Sequence, residues 1–135
     1  MKKVSKGSVV IVEDDMLLSL VEGRIVNKLG YHVVAKSVSG EDAIQQIKAH
    51  DPDVVIMDIS LKGELDGIDT MRRVRSFSDV PVIFLSGNSD KISIERAKKT
   101  DFIDFLVKPI SLTDMVEPMK KALNQKRNKV VSHAS

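Results

Sequence analysis

The side chains that could do chemistry in this 135-residue chain stand at the ends of short apolar runs. Glu13, Asp14 and Asp15 follow the first run, Asp58 ends the third, and Ser86 follows the fourth. If these runs are parallel strands, their carboxyl ends share one edge of a sheet, where doubly wound sheets bind ligands. We therefore expect the acids of the first and third runs to face one another.

The fifth apolar run adds a cation, because Lys108-Pro109 follows it directly. Crowded carboxylates oppose folding unless a cation lies between them. Oxygen ligands without His or Cys select a hard ion such as Mg²⁺ or Mn²⁺; the chain has no Cys, and its three His residues are not at metal-ligand spacing. Paired acids, the single carboxylate of Asp58, the hydroxyl of Ser86 and Lys108 together predict phosphoryl transfer to a carboxylate.

Each of these residues also has a plain structural interpretation. Asp14 or Asp15 could simply cap a helix, and Asp58 could close a turn. Ser86 begins a turn-like Ser-Gly-Asn-Ser segment, and Lys108 could be a solvated surface lysine. These interpretations explain the residues singly and leave their joint placement at four strand ends unexplained.

Alternating strand and helix patterns predict the elements that must position these side chains. Buried apolar runs indicate strands at 8–12, 31–37, 53–58, 80–85 and 103–107. Helical spacing indicates helices at 14–29, 40–49, 67–75, 89–99 and 112 to about 125. In the first helix we expect a core face made by Leu17, Leu18, Val21, Ile25 and Leu29. Such alternation predicts a parallel α/β sheet covered on both faces, in one domain over residues 8–124 with polar tails at 1–7 and 125–135.

Composition narrows the class of protein. The net charge of +2 is too small to argue for nucleic-acid binding, and we expect Lys126, Arg127 and Lys129 to form a solvated tail. No apolar run approaches the roughly 18 residues that cross a bilayer. The basic start lacks the apolar core of a secretory signal, so we expect a cytoplasmic protein without membrane contact.

Four motifs at these strand ends resemble the response-regulator receiver domain of two-component signalling: Val-Glu-Asp-Asp, Met-Asp-Ile, Leu-Ser-Gly and Val-Lys-Pro. The match covers roughly residues 8 to 124. The resemblance implies a flavodoxin-like, doubly wound, three-layer fold with strand order 2-1-3-4-5.

The resemblance also implies roles for individual residues. Asp58 would be the phosphoacceptor. Asp14, Asp58 and the backbone carbonyl of Ser60 would bind Mg²⁺ directly, and Glu13 would bind it through a water. Lys108 would pair with the phosphoryl oxygens, its bond to Pro109 being a cis peptide.

In the family, a hydroxyl and an aromatic side chain carry the switch. Here Ser86 would hydrogen-bond the phosphoryl group, and its movement would let Phe105 turn from exposed to buried; the alternative is that Phe105 simply packs. The change would alter the face made by the fourth helix, fifth strand and fifth helix. Ser60 and Asn88 fall at the positions that tune the lifetime of the phosphoryl group.

The implied partners are a sensor histidine kinase or phosphotransfer protein, a downstream protein target, and a second copy in a phosphorylation-promoted homodimer. The chain would be no enzyme beyond its own phosphoryl transfer and slow autodephosphorylation. The sequence departs from the family pattern in three places. In the loop after Asp58, Lys62 replaces a usual proline and the loop is one residue longer, so Gly63 would absorb the added turn. Before the fifth strand, Thr100-Asp101-Phe102 replaces a Gly-Ala pair, and Pro118 falls inside the last helix.

Two other interpretations of the receiver remain open: an interaction module that works without phosphorylation, and a fragment of a larger regulator or hybrid kinase. A phosphatase of the haloacid dehalogenase type would need an acid where Ser60 stands. A flavin or dinucleotide module would need a phosphate-cradling loop after the first strand, where Glu13-Asp14-Asp15 would repel an anion.

Overall fold

The structure, a computed structural model, describes the backbone of residues 4–134 and the side chains of residues 4–126. Within that range strands and helices alternate. The strands are β1 (Ser8–Val12), β2 (His32–Ser37), β3 (Val54–Asp58), β4 (Val82–Ser86) and β5 (Asp104–Val107). The helices are α1 (Met16–Lys28), α2 (Gly40–His50), α3 (Gly67–Val74), α4 (Lys91–Lys98) and α5 (Leu112–Ala134).

The five strands form one parallel sheet in the order β2-β1-β3-β4-β5. Successive strand residues face opposite sides, and helices cover both. One core cluster joins the sheet to α2 and α3 through residues such as Ala43, Ile47 and Met71. The other joins it to α1 and α5 through residues such as Val26 and Met115. The predicted doubly wound, three-layer, flavodoxin-like fold is confirmed.

Most predicted elements end within two residues of the observed ones, and α5 is the exception. We expected that helix to stop near Gln125, but its backbone remains helical to Ala134. The segment from 125, which we described as a tail, is therefore mostly helical backbone. Residues 1–3 of the predicted N-terminal tail and Ser135 lie outside the described residues, as do the side chains of Arg127 and Lys129. Lys126 lies within them and pairs with the loop before β3, through the carbonyl of Pro52 at 2.8 Å.

The core face of α1 differs from the predicted one. Leu17 and Val21 are 69% and 41% exposed, so their predicted burial is wrong, whereas Ile25 is buried as expected. The residues of α1 that are buried are Ser19, Glu22, Gly23, Ile25 and Val26. The helix is thus rotated so that Ser19, Glu22 and Gly23 face the sheet alongside Ile25 and Val26. An apolar stripe of Met16, Leu17, Leu20 and Val21 faces solvent.

Two of the expected irregularities occur where we placed them. Gly63 has a φ of 105°, in the region that favours glycine, so it does absorb the turn of the long loop after β3. Pro118 lies inside α5 and is buried, and the helix continues past it. None of the helices in the described residues is long and apolar enough to cross a membrane.

Candidate functional site

The acids of β1 and β3 meet at the carboxyl edge of the sheet, as predicted. Each of Glu13, Asp14 and Asp58 offers a carboxylate oxygen within 4.8 Å of the other two. Strand register produces this arrangement, because Val12 on β1 lies beside Met57 on β3, and the next residue of each strand is an acid. Glu13 and Asp58 are each 1% exposed, so bulk solvent screens their charges poorly.

The acid that caps α1 is not part of this group. Asp15 accepts hydrogen bonds from the backbone N–H groups of Leu17 and Leu18, both at 3.0 Å. Asp14 instead accepts from the backbone N–H of Lys62 at 3.1 Å, which ties it to the loop after β3. Capping therefore uses one of the three consecutive acids and leaves two for the site.

Lys108 supplies the cation that the crowded acids require. Its Nζ lies 3.2 Å from Oδ1 of Asp58 and 3.3 Å from Oε1 of Glu13. The Lys108–Pro109 peptide is cis, as expected, and the Lys108 N–H donates to the carbonyl of Ser86 at 2.7 Å. Burial alone would lower the pKa of Lys108, but the charges of Asp58 and Glu13 raise it, so the ammonium stays protonated.

Burial sets the acidity of Asp58. Burial, together with the hydrogen bond and the negative charge of Glu13, raises the pKa of Asp58 to about 6. Lys108 and the hydrogen bond from the Ser60 N–H, at 3.1 Å, act in the opposite direction. A carboxylate with this pKa is ionised near neutral pH, yet it is more basic, and hence more nucleophilic, than an exposed aspartate.

The remaining predicted residues are Ser86, Ser60, Asn88 and Phe105. Ser86 is 4% exposed, and its Oγ accepts from the N–H of Asn88 at 3.3 Å. Its turn chemistry and its place beside the site are thus both present. Ser60 and Asn88 are exposed, in the loops that follow β3 and β4. Phe105 is half-buried, and its ring centroid lies 6.3 Å from that of Phe102.

The donor set fits a divalent cation. Three carboxylates converge without any His or Cys ligand, and hard ions such as Mg²⁺ prefer oxygen. The single ammonium of Lys108 leaves the net charge of the group negative, and the negative charge of Glu13 adds to burial in raising the pKa of Asp58. A divalent ion would offset it.

A comparison with known proteins decides the family. The model of the response regulator receiver domain matches residues 9–120. The chain belongs to the response regulator receiver domain family. This assigns it to two-component signalling and confirms the resemblance carried by the four strand-end motifs.

Receiver domains of several organisms are similar to this one. It is 30% identical over 119 residues to the transcriptional regulatory protein PdtaR of Mycobacterium tuberculosis, covering 88% of this chain and 58% of PdtaR. It is 30% identical over 117 residues to the chemotaxis protein CheY of Bacillus subtilis, covering 86% of this chain and 97% of CheY. The signal receiver domain of a modulated diguanylate cyclase from Desulfovibrio desulfuricans G20 superposes with a TM-score of 0.84 at 29% identity, covering 91% and 98% of the two chains. The receiver thus spans little more than half of PdtaR and nearly all of CheY.

One buried acid of this receiver was missed by sequence reasoning. Glu22 on α1 is 2% exposed, and its Oε1 has no hydrogen-bond partner among the described residues. Burial, together with the hydrogen bond and the negative charge of Glu13, raises the pKa of Glu22 to about 9. Glu22 is therefore a neutral carboxyl group beneath Glu13. The sequence signal was the spacing of Ser19, Glu22, Gly23 and Val26 along one helical face.

Proposed function

We propose that this receiver takes a phosphoryl group on Asp58 from a sensor histidine kinase, a phosphotransfer protein or a small acyl phosphate, with Mg²⁺ as the cofactor. The observation that carries the proposal is the position of Lys108 Nζ between Asp58 and Glu13, at 3.2 and 3.3 Å. A structural role would need one carboxylate partner for this lysine. A second buried carboxylate costs stability, and a phosphoryl-transfer site gives that cost a purpose.

In the transfer, a carboxylate oxygen of Asp58 attacks the phosphorus of the donor. A new O–P bond forms while the bond from phosphorus to the donor nitrogen or oxygen breaks, and the donor keeps that electron pair. The Lys108 ammonium, between the two acids, and the Ser86 hydroxyl, at the end of β4, can donate hydrogen bonds to the phosphoryl oxygens.

A bound Mg²⁺ would screen the anionic donor from the acids and stabilise the charge of the transition state. Asp14, Asp58 and the backbone carbonyl of Ser60 would hold it directly, and Glu13 through a water. The chain needs no other chemistry, so we expect no activity on other substrates. Ser60 and Asn88, both small and exposed, leave room for a water that hydrolyses the acyl phosphate slowly.

The donor protein needs a surface beside Asp58, and the apolar stripe of α1 offers one. Met16, Leu17, Leu20 and Val21 are 74%, 69%, 46% and 41% exposed on the helix that begins next to the acids. We expect Leu17→Ser to leave the rate with acetyl phosphate within about twofold and to slow transfer from a phosphorylated histidine kinase about tenfold, the effect of one good interface contact. Equal slowing with both donors would contradict this assignment.

Output would pass through the face formed by α4, β5 and α5, where Phe105 is half-buried. A downstream protein or a second copy of the receiver would bind there after phosphorylation. Because the chain spans 58% of PdtaR, an output module on the same polypeptide is an alternative route. The receiver would act in the cytoplasm, together with its kinase and its target. We expect it to make no direct contact with nucleic acid.

Intact-mass measurement after incubation with acetyl phosphate and Mg²⁺ tests the proposal. Wild type should gain one phosphoryl adduct, EDTA should prevent it, and Asp58→Asn should lack it. Glu64→Gln, which changes an exposed acid in the loop after β3, is the matched control and should be modified like wild type. A wild type that stays unmodified with both acetyl phosphate and a panel of phosphorylated kinases would instead favour an interaction module that works without phosphorylation.

A further inference from the structure

The attachment of α4 is unusual for a helix of this sheet. All eight residues of α4 are described, and Ala97 is the one that is buried. A helix with so little buried surface can change position at low cost. The position of α4 therefore depends on a few polar contacts.

The most extensive of these contacts is made by Arg96. Its two terminal nitrogens bind Oδ2 of Asp66 at 2.9 Å and Oδ1 of Asp69 at 3.1 Å. Both acids belong to the start of α3, since Asp66 is its N-cap and accepts from the Asp69 N–H at 2.8 Å. The hydrogen bond and charge of Arg96 lower the pKa of Asp66 despite the opposing effect of burial. We call Arg96, Asp66 and Asp69 the clasp.

The start of α3 is in turn fixed to the phosphoacceptor. The Gly67 N–H donates to the carbonyl of Ile59 at 2.9 Å. A Cβ at position 67 would collide with the backbone carbonyl of Asp58. Gly67, the first residue of α3, is thus packed directly against the Asp58 backbone, so a shift of that backbone would displace Gly67 and, with it, the neighbouring Asp66.

We propose that the clasp couples α4 to the phosphoacceptor and holds α4 in the arrangement of the unphosphorylated receiver. This inference rests on the proposed function. The clasp side chains are 29% to 39% exposed, and exposed ion pairs contribute little stability each, so the clasp opens without unfolding the domain. Because coupling is reciprocal, a receiver without the clasp reaches the phosphorylated arrangement more easily.

The test compares Arg96→Gln with Lys98→Gln. Both substitutions remove a cation from the last turn of α4, but Lys98 pairs with Glu95 of the same helix, at 2.8 Å. Modification by acetyl phosphate and Mg²⁺ is followed by intact mass, and hydrogen exchange of peptides covering α4 is followed in the unmodified proteins.

Arg96→Gln should be phosphorylated about two- to fivefold faster than wild type, the factor that one exposed ion-pair network can supply, and its α4 amides should exchange faster. Lys98→Gln should match wild type in the phosphorylation rate. Asp69→Asn should give a smaller change in the same direction, and the double variant with Arg96→Gln should add nothing to Arg96→Gln alone.

A rate for Arg96→Gln equal to that of Lys98→Gln would overturn the coupling, even if α4 exchanges faster, because the clasp would then only restrain the helix. A slower rate would overturn its direction. Both results require a phosphoryl adduct on wild type, so they differ from the failure of the proposed function, in which wild type itself stays unmodified.

Discussion

Helices α3 and α4 have the same length, but α3 is firmly packed against the rest of the domain and α4 is not. Each has eight residues and begins after an aspartate cap, Asp66 in α3 and Asp90 in α4. Five residues of α3 are buried, whereas α4 buries one. Length and cap therefore do not distinguish the two helices, but the apolar pattern does: α3 carries Ile68, Met71 and Val74 on one face, whereas α4 is largely polar.

The difference follows the position of each helix relative to the site. The start of α3 lies against the backbone of Asp58, and the loop before it buries Ile59, Leu61 and Leu65. The strand after α4 is half-exposed along most of its length, in contrast to the fully buried β3. The acidic site thus lies in a tightly packed frame, which we call the rigid frame, whereas the surface of α4 and β5 is loosely packed.

The largest difference between the two helices should appear in the free energy of unfolding when one large apolar side chain of each is shortened. Met71 of α3 is 0% exposed and Ile92 of α4 is 76% exposed. Met71→Ala should lower the free energy of unfolding by about 2–5 kcal/mol because it leaves a cavity. Ile92→Ala should change it by less than about 0.5 kcal/mol. Urea unfolding followed by circular dichroism measures both, and similar losses in the two variants would show that α4 is held as firmly as α3.

The sequence allowed the rigid part to be predicted better than the loose part. Runs such as Val54–Met57 are buried on both sides, and a run of β-branched residues predicts such a strand. The order of the strands then brings Glu13, Asp58 and Lys108 together. The contact between Arg96 and Asp66 joins residues 30 apart in sequence and depends on how two helices pack. No local pattern predicts such a contact.

The rotated face of α1 has a physical explanation of the same kind. An apolar stripe normally indicates the buried side of a helix, and here it would have buried Leu17 and Val21. Glu22 occupies the buried side instead, where it meets Glu13, and Gly23 leaves room for Lys36, whose Nζ would be 3.2 Å from a Cβ at that position. The demands of the site outweigh hydrophobic periodicity.

Holding the buried carboxylate of Asp58 in the rigid frame should cost stability, and replacing Asp58 should show this cost through the pH dependence of the free energy of unfolding. Burial raises the pKa of Asp58 from 3.8 to about 6. An acid whose folded-state pKa is raised stabilises the fold while protonated, and that contribution is lost as pH rises from about 4 to about 6. Without Mg²⁺, Asp58→Asn should therefore become more stable than wild type across this window. The difference should level off above pH 6 at about 1–3 kcal/mol, the order of a shift of two pKa units.

The control for this prediction comes from α4. Glu95→Gln removes a carboxylate that is 68% exposed, and its stability should follow that of wild type through the same window to within about 0.5 kcal/mol. Thermal unfolding at pH 4, 5, 6 and 7.5 with EDTA measures the stability of wild type, Asp58→Asn and Glu95→Gln. Excess Mg²⁺ should then remove most of the advantage of Asp58→Asn at pH 7.5, because an ion held by the acids stabilises only the protein that keeps them. A wild type that is as stable as Asp58→Asn at pH 7.5 in EDTA would mean that Lys108 already neutralises the site, and the rigid frame would then carry no cost for a cation to offset.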